Sequence, residues 1–355
     1  MIEEYLSEAE LIGNFTIFDS FVKANQILDN SLNPACSISG GADSDIVADI
    51  ITKLDTEKQV RFVFFDTGIE YEATKKHLAF LESKYGIHIE RMRAITPVPL
   101  GCRKYGLPFW SKHASEMIER LQRYDFKWED RPFAELIKEY PKCRGALRWW
   151  CNDFAEKTGK RGKVIQSKFN INYISWLKEY MIANPPQFKI SPKCCEGAKK
   201  NNAKAFLKEN AADLNILGIR KAEGGIRSTA YKTCFDSTAD SDGWNTYRPL
   251  FWYSDEDKSD YERLFDVTHS ECYTKYGLKR TGCAGCPFAK DFENELVIIA
   301  EHEPKLYKAV NNIFGASYEY TRNFLKFRAE QTELERLLIR GEDGEVMVQT
   351  EFIFD

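Results

Sequence analysis

The chain contains no run of about 18 apolar residues, so the sequence offers no membrane-spanning helix. Its first ten residues, MIEEYLSEAE, are acidic and hold no apolar stretch; no secretory signal is expected, and the expected compartment is the cytoplasm. Charge of one sign is also lacking. Fifty Lys and Arg against 54 Asp and Glu leave a net charge of −4, too little for a global pull towards nucleic acid or anionic lipid. A local basic groove stays open, because Lys and Arg cluster in several stretches. No internal repeat and no low-complexity segment is visible. Cysteine, by contrast, is plentiful, with ten residues. Without an export signal these read as reduced thiols, some of them held by metal, rather than as a disulfide framework. At 355 residues and 43% apolar content, the chain suits one large α/β domain with insertions, or two smaller domains.

The first thirty residues read as a helix with a mixed face. ACSIS (35–39) reads as a short buried strand running into Gly40-Gly41, and DSDIVADIITKL then sets Ile46, Val47, Ile50, Ile51 and Leu54 on one helical stripe. VRFVFFDTG (60–68) is a run of β-formers broken by Asp66 and Gly68, followed by a helix from about 72 to 85 and a strand at IHIERMR (87–93). Strand and helix alternating in this way predict a parallel sheet with crossover helices, an α/β class. The alternation stops near Pro97. Residues 98–190 are aromatic and basic and read as a helical or irregular insertion; the sheet resumes at ADLNILGIR (212–220). The expected segments are 1–30, a helical lead; 31–97 and 191–300, the two halves of the α/β core; 98–190, an insertion or lid; and 301–355, helices near 303–314 and 317–340 with a tail strand, EVMVQTEFIFD.

SISGGADSD (37–45) sits where a strand hands over to a helix. Gly40 and Gly41 permit a tight turn and a close approach to phosphate, and the helix start offers free N–H groups at a positive dipole end. Ser39 and Ser44 add hydroxyls. Asp43 is negative and is cast as the helix cap or a magnesium contact rather than a phosphate ligand. The plain alternative is a glycine turn capped by Asp43 with no ligand. The Gly-Lys-Ser/Thr ending of a Walker A loop is absent.

Two cysteine pairs stand out, Cys194-Cys195 in ISPKCCEGAKK and Cys283/Cys286 in RTGCAGCPF. Thiolates bind soft metals, and a C-x-x-C loop can place two sulfurs on one centre. An iron–sulfur cluster is the reading of this set; a four-cysteine zinc site is the rival, although vicinal ligands suit tetrahedral zinc poorly. Cys234 and Cys272 are substitute ligands. Cys36, Cys102, Cys143 and Cys151 read as structural, with Cys143 and Cys151 flanking Trp149-Trp150 as further candidate sulfur carriers.

SGGADS resembles the PP-loop of the adenine nucleotide α-hydrolase superfamily, which includes ATP pyrophosphatases, the small subunit of bacterial ATP sulfurylase and the phosphosulfate reductases. FVFFDTGIEYEAT (62–74) is similar to the DTG-x-E stretch of the reductases, and this likeness implies that Asp66, Thr67, Gly68 and Glu70 line a nucleotide pocket at the carboxyl edge of the sheet. The CC-x-x-x-K element and the distant C-x-x-C look like the signature by which adenylyl sulfate reductases hold a 4Fe–4S cluster, with Lys199 at the matching lysine. GIRKAEGGIRS (218–228) looks like the family's G-x-R-x-x-E-x-x-x-R segment; by that likeness Arg220 and Arg227 contact phosphate or sulfate and Glu223 orients them. Taken together the pattern resembles phosphosulfate-reductase-like proteins of phages and mobile elements, over roughly residues 32–95 and 187–290.

One departure bears on function. The assimilatory reductases use a cysteine near their carboxyl terminus, and this chain has none after Cys286. The resemblance therefore implies, first, an ATP-dependent adenylating enzyme with Asp43, Lys199 and Arg220 in catalytic roles, Mg2+ and ATP as cofactors, and a cluster that serves sulfur transfer. A cysteine-desulfurase-like donor and a nucleic acid acceptor, as in tRNA thiolation or DNA phosphorothioation, are the partners implied. The basic aromatic insertion (Lys112, His113, Arg120, Arg123, Trp128, Arg144, Arg148, Trp149, Trp150) is the candidate nucleic acid surface by stacking, with an ordinary lid as the alternative. The other readings are an adenylyl sulfate reductase or sulfate-activating enzyme, and a protein that binds an adenine nucleotide without consuming it.

Overall fold

In the computed structural model the described residues are 2–155, 157–158, 164–224, 230–238 and 243–342. They form two compact units. The first comprises residues 1–101 and 193–313, the second residues 102–192 and those from 314 onward.

The first unit is built on a six-stranded sheet. Its strands are β1 (Pro34–Ser37), β2 (Arg61–Asp66), β3 (Ile89–Arg93), β6 (Leu214–Leu217), β7 (Phe235–Asp236) and β8 (Asn245–Tyr247); β4 (Lys157–Thr158) and β5 (Val164–Ile165) pair separately in the second unit. The order is β3-β2-β1-β6-β8-β7, parallel except for β7, which runs antiparallel to β8. The α/β reading holds, with an antiparallel edge strand added. β1 is central: Cys36 is level with Phe62 on one side and Ile216 on the other.

The helix Ala42–Leu54 follows β1, and its Ile46, Val47, Ile50 and Ile51 are buried against the sheet with Phe62, Phe64 and Ile216. Each such side chain contributes about 1.5–3 kcal/mol by leaving water. The helix Glu72–Tyr85 follows β2 and ends on Gly86 in the left-handed conformation (φ +60°), which a residue without a Cβ adopts freely. Two element boundaries differ from the sequence reading. The leading helix is two helices, Ile2–Leu11 and Phe15–Asp29, because Gly13 turns the chain at φ +69° and the Asn14 side chain accepts the Ile17 N–H to cap the second. The two late helices are one, Pro304–Glu342; Gly315, which reads as a breaker, sits inside it with open space around it. The tail, 345–355, lies outside the described residues.

The second unit is helical around an aromatic core. Trp149 and Trp150 are fully buried among Phe109, Ile118, Leu121, Leu147 and Phe324, and the Trp150 indole N–H donates to the Glu129 carbonyl (2.9 Å). Trp128 packs edge-on to Trp150, and Arg120, Arg123 and Arg148 pair with Glu116, Glu119 and Asp153. This corrects the stacking surface drawn from these tryptophans: rings whose faces are covered by core side chains have none left for a base. Among the described residues no helix is long and apolar enough to cross a membrane.

Candidate active site

Beyond Ser37, the last residue of β1, the chain turns through Ser39, Gly40 and Gly41 into the helix. Gly40 has φ +66°, and a Cβ there would lie 2.7 Å from the Thr74 methyl; one on Gly41 would lie 3.1 Å from Thr281 Oγ1 and 3.3 Å from the Tyr273 hydroxyl. Gly40 is therefore required by its left-handed backbone and by Thr74, whereas a side chain at Gly41 would crowd Thr281 and Tyr273. The cap of the helix is Gly41 and not Asp43, because the chain leaves the extended conformation at Gly41 (φ −98°, ψ 156°) and Asp43 already lies in the first turn. Ser44 closes the loop on itself: its hydroxyl donates to the Gly41 carbonyl (2.8 Å) and accepts the Gly41 N–H (3.1 Å). Ser39 stays exposed. The next amide, Ala42 N–H, donates to the Tyr273 hydroxyl (3.1 Å).

The charges beside the loop are paired with one another. Asp43 lies 3.2 Å from Arg220 Nε and 2.9 Å from Lys258 Nζ, and Arg220 also donates to Asp255 (2.9 Å) and the Ser254 carbonyl (3.2 Å). Burial works against the Arg220 cation, but Asp43 and Asp255 outweigh it and hold it more firmly charged than usual. Asp45, with no exposed surface, meets His77 Nε2 at 3.0 Å and His269 Nδ1 at 2.8 Å; His269 Nε2 meets Glu262 at 2.9 Å. Desolvation disfavours the His269 cation, yet Asp45 and Glu262 raise its pKa to about 9. Asp45, His77, Glu262, His269 and Lys258 were not singled out in the sequence. The Asp of the loop's own SGGADSD stretch was the one available signal; its partners are too remote along the chain to be linked to it.

At the end of β2 the DTGIE turn serves the second cysteine loop. Thr67 is fully buried; its N–H and hydroxyl both donate to Glu70, while the Cys283 thiol donates to the Thr67 hydroxyl (3.7 Å). Gly68 turns at φ +87° with its N–H on Asp66 (2.8 Å), and the Ile69 carbonyl accepts the Ala284 N–H (3.1 Å). In the C-x-x-C loop, the Gly285 N–H donates to part-buried Glu295 (3.0 Å), which also accepts the Tyr71 hydroxyl.

Cys194-Cys195 lead into a π-type turn, Glu196–Lys200, a distortion found more at functional sites than elsewhere. Asn202 anchors it by donating to the Gly197 (3.0 Å) and Ala198 (2.7 Å) carbonyls. The turn aims Lys199 at the thiols: desolvation lowers its pKa, but Cys283, Glu70, Cys195 and Cys286 together raise it. Burial pushes the Cys283 thiol up against the pull of Lys199, and pushes Cys286 up to about 12, with Cys283 and Cys195 adding to the effect. Burial likewise raises Glu70. Cys195, Cys283 and Cys286 thus lie within electrostatic reach of one another and of Lys199, whose charge is also felt at Glu70. Cys194 is buried, with its Cα 3.2 Å from where a Gly101 Cβ would stand. Cys272 lies instead beside Thr74 (3.7 Å), and Cys143 and Cys151 donate to the Arg120 and Arg131 carbonyls in the second unit. Among the described residues no three or more Cys, His, Asp or Glu side chains are arranged to hold a metal ion. The donor types suit a soft metal; their present spacing does not form its coordination sphere. Glu223 pairs with Arg280 (3.5 Å), and Arg227 lies outside the described residues.

Residues 33–142 match the family model of the phosphoadenosine phosphosulfate reductase domain. A relative among curated proteins is an uncharacterised protein of Methanocaldococcus jannaschii, 25% identical over 83% of this chain and 48% of its own length; the chain thus spans about half of that relative. Similar solved structures include the phosphoadenylyl-sulfate reductase of Candida auris in a phosphate complex (14% identity, 73% of this chain and 87% of that one, TM-score 0.39). Another is the U34-tRNA thiolase of Methanococcus maripaludis with its [4Fe-4S] cluster (11% identity, 97% and 84%, TM-score 0.38). The likeness to the phosphoadenosine phosphosulfate reductase domain thus covers 110 of the 355 residues.

Proposed function

We propose that the protein is a PP-loop enzyme that adenylates an oxygen of its substrate with ATP, releases pyrophosphate, and delivers sulfur to the activated atom. The observation that carries this reading is the adjacency of two chemistries at neighbouring strand ends. The glycine loop follows β1, and the thiol group with Lys199 and Glu70 gathers beyond β2, with Thr281 touching the first and leading into Cys283. In the adenylation the substrate oxygen attacks the α-phosphorus, the bond to the β-phosphate oxygen breaks, and pyrophosphate leaves. Loop amides and the Arg220 and Lys258 cations stabilise the charge that develops on the leaving group. Asp43, which lies against Arg220 and Lys258 here, would hold Mg2+, and that ion would supply further neutralising charge at the pyrophosphate.

Cys194, Cys195, Cys283 and Cys286 would be the ligands for a 4Fe–4S cluster under this reading, with zinc as the alternative; Cys195, Cys283 and Cys286 lie within electrostatic reach of one another. A nucleic acid acceptor, from which AMP leaves with the adenylated oxygen as sulfur takes its place, and a cysteine-desulfurase-like persulfide donor with a thiol reductant complete the scheme. The family match favours a second reading, reduction of an adenylyl sulfate, in which the nucleotide takes the same loop. Anaerobically purified protein separates them. Pyrophosphate release from ATP, lost in Asp43→Asn, supports adenylation; sulfite formed from adenylyl sulfate with a thiol donor supports reduction; nucleotide binding with neither product overturns both.

A further inference from the structure

The Tyr273 hydroxyl occupies an unusual place. It accepts the Ala42 N–H (3.1 Å) at the start of the phosphate-loop helix, accepts the Thr281 N–H (3.2 Å), and exchanges a hydrogen bond with the Thr281 hydroxyl (2.9 Å). One oxygen therefore takes two backbone amides from segments more than 200 residues apart. The same oxygen stands 3.3 Å from the position of a Gly41 Cβ, against the glycine that lets the loop approach a ligand. Thr281 is two residues before Cys283, whose thiol rests on Thr67.

We propose that Tyr273 is a displaceable stopper of the phosphate loop. Its phenol fills the amide position a nucleotide phosphate must take and ties that loop to the segment carrying Cys283 and Cys286. The proposal rests on the nucleotide reading above. A phosphate oxygen carries charge and accepts an N–H more strongly than a neutral phenol does, so the exchange at Ala42 is favourable. Tyr273 belongs to a single short turn, Glu271–Thr274, and is only partly buried, so the ring can leave without opening the core. When it leaves Ala42, the Thr281 amide loses its acceptor in the same movement. Nucleotide arrival is in this way transmitted to the thiol loop, and Tyr273 acts as a positioning residue with no contact to the reacting atoms.

The test uses the full chain with inorganic pyrophosphate and ATP as probes. Tyr273→Phe keeps the ring and removes the hydroxyl. Each ligand is expected to bind it about fivefold more tightly than the parent, the effect of one hydrogen bond no longer competing. By hydrogen exchange, the Thr281 amide of the parent is expected to exchange faster when pyrophosphate binds. In Tyr273→Phe it is fast from the start and indifferent to the ligand. Thr281→Val, which spares the phenol–Ala42 bond, gives a smaller gain in affinity. Unchanged or weaker binding by Tyr273→Phe, or a Thr281 amide that ignores pyrophosphate in the parent, overturns the stopper and leaves nucleotide binding standing. A parent protein that binds neither probe overturns the nucleotide reading itself, and the stopper with it.

Discussion

The two halves of the candidate site solve the problem of charge in opposite ways. Beside the phosphate loop the carboxylates are met by opposite charge at short range: Asp43 by Arg220 and Lys258, and Asp45 and Glu262 by His269, with the His77 ring 3.0 Å from Asp45. At the thiol end one ammonium, Lys199, is within electrostatic reach of Glu70 and of Cys195, Cys283 and Cys286, and burial helps the last two thiols to retain their protons. The first half spends its charges on its own folding and holds its backbone in place. The second keeps the Cys283 and Cys286 thiols protonated beside the Lys199 cation, and whatever converts them to thiolates there gains the attraction of Lys199. The comparison teaches that the loop's charged neighbours are scaffold as well as site, whereas the thiols contribute little to the fold.

The largest expected effect breaks the first half. Asp45→Asn leaves His77 and His269 facing a neutral amide at a position with no exposed surface. Removing one partner of a buried ionic cluster costs about 3–5 kcal/mol, and the melting temperature is expected to fall by roughly 10 °C. A shift of two degrees or less in a thermal melt would sink the view that this network holds the loop.

A smaller effect sharpens the same half. His269 titrates at about 9 in the fold, above its ordinary value near 6.5. Its stabilising contribution is then fully present below pH 6.5 and is lost as pH rises from 6.5 through 9, to an extent of up to about 3 kcal/mol. Denaturant midpoints at pH 6, 7.5 and 9 should fall more steeply for the parent than for His269→Gln. Parallel curves would show that the imidazole is not held as a cation.

The halves also differ in how far the sequence exposed them. The glycine loop, β2 and the helix 72–85 were legible because alternation, helical periodicity and left-handed glycines are local signals. Cys194-Cys195 and Cys283/Cys286 stand out as pairs from their spacing alone, since thiols so placed have few other uses. Asp45 with His269, and Tyr273 on the Ala42 amide, carry no local signature: the partners meet only once the segment 255–281 packs on the sheet. The tryptophans misled for the same reason. A Trp in a basic stretch reads alike whether its face later meets a base or, as for Trp150, the rings of Trp128 and Phe126.

The smallest expected effect on stability lies at the thiol end and decides whether the comparison stands. Cys286 is neutral at pH 7, since burial pushes its thiol up to about 12. Serine nearly reproduces its shape, so Cys286→Ser is expected to cost only about 1 kcal/mol. Cys36, fully buried between Phe62 and Ile216 at the centre of the sheet, supplies the contrast. There a hydroxyl enters an apolar layer, and Cys36→Ser should cost about 1–3 kcal/mol. Iron and acid-labile sulfide, measured on anaerobically prepared protein, should move the other way: lost in Cys286→Ser and unchanged in Cys36→Ser. Equal destabilisation by the two serines with no difference in iron or sulfide would make the thiol end scaffold too, and would remove the physical reason for placing sulfur chemistry there.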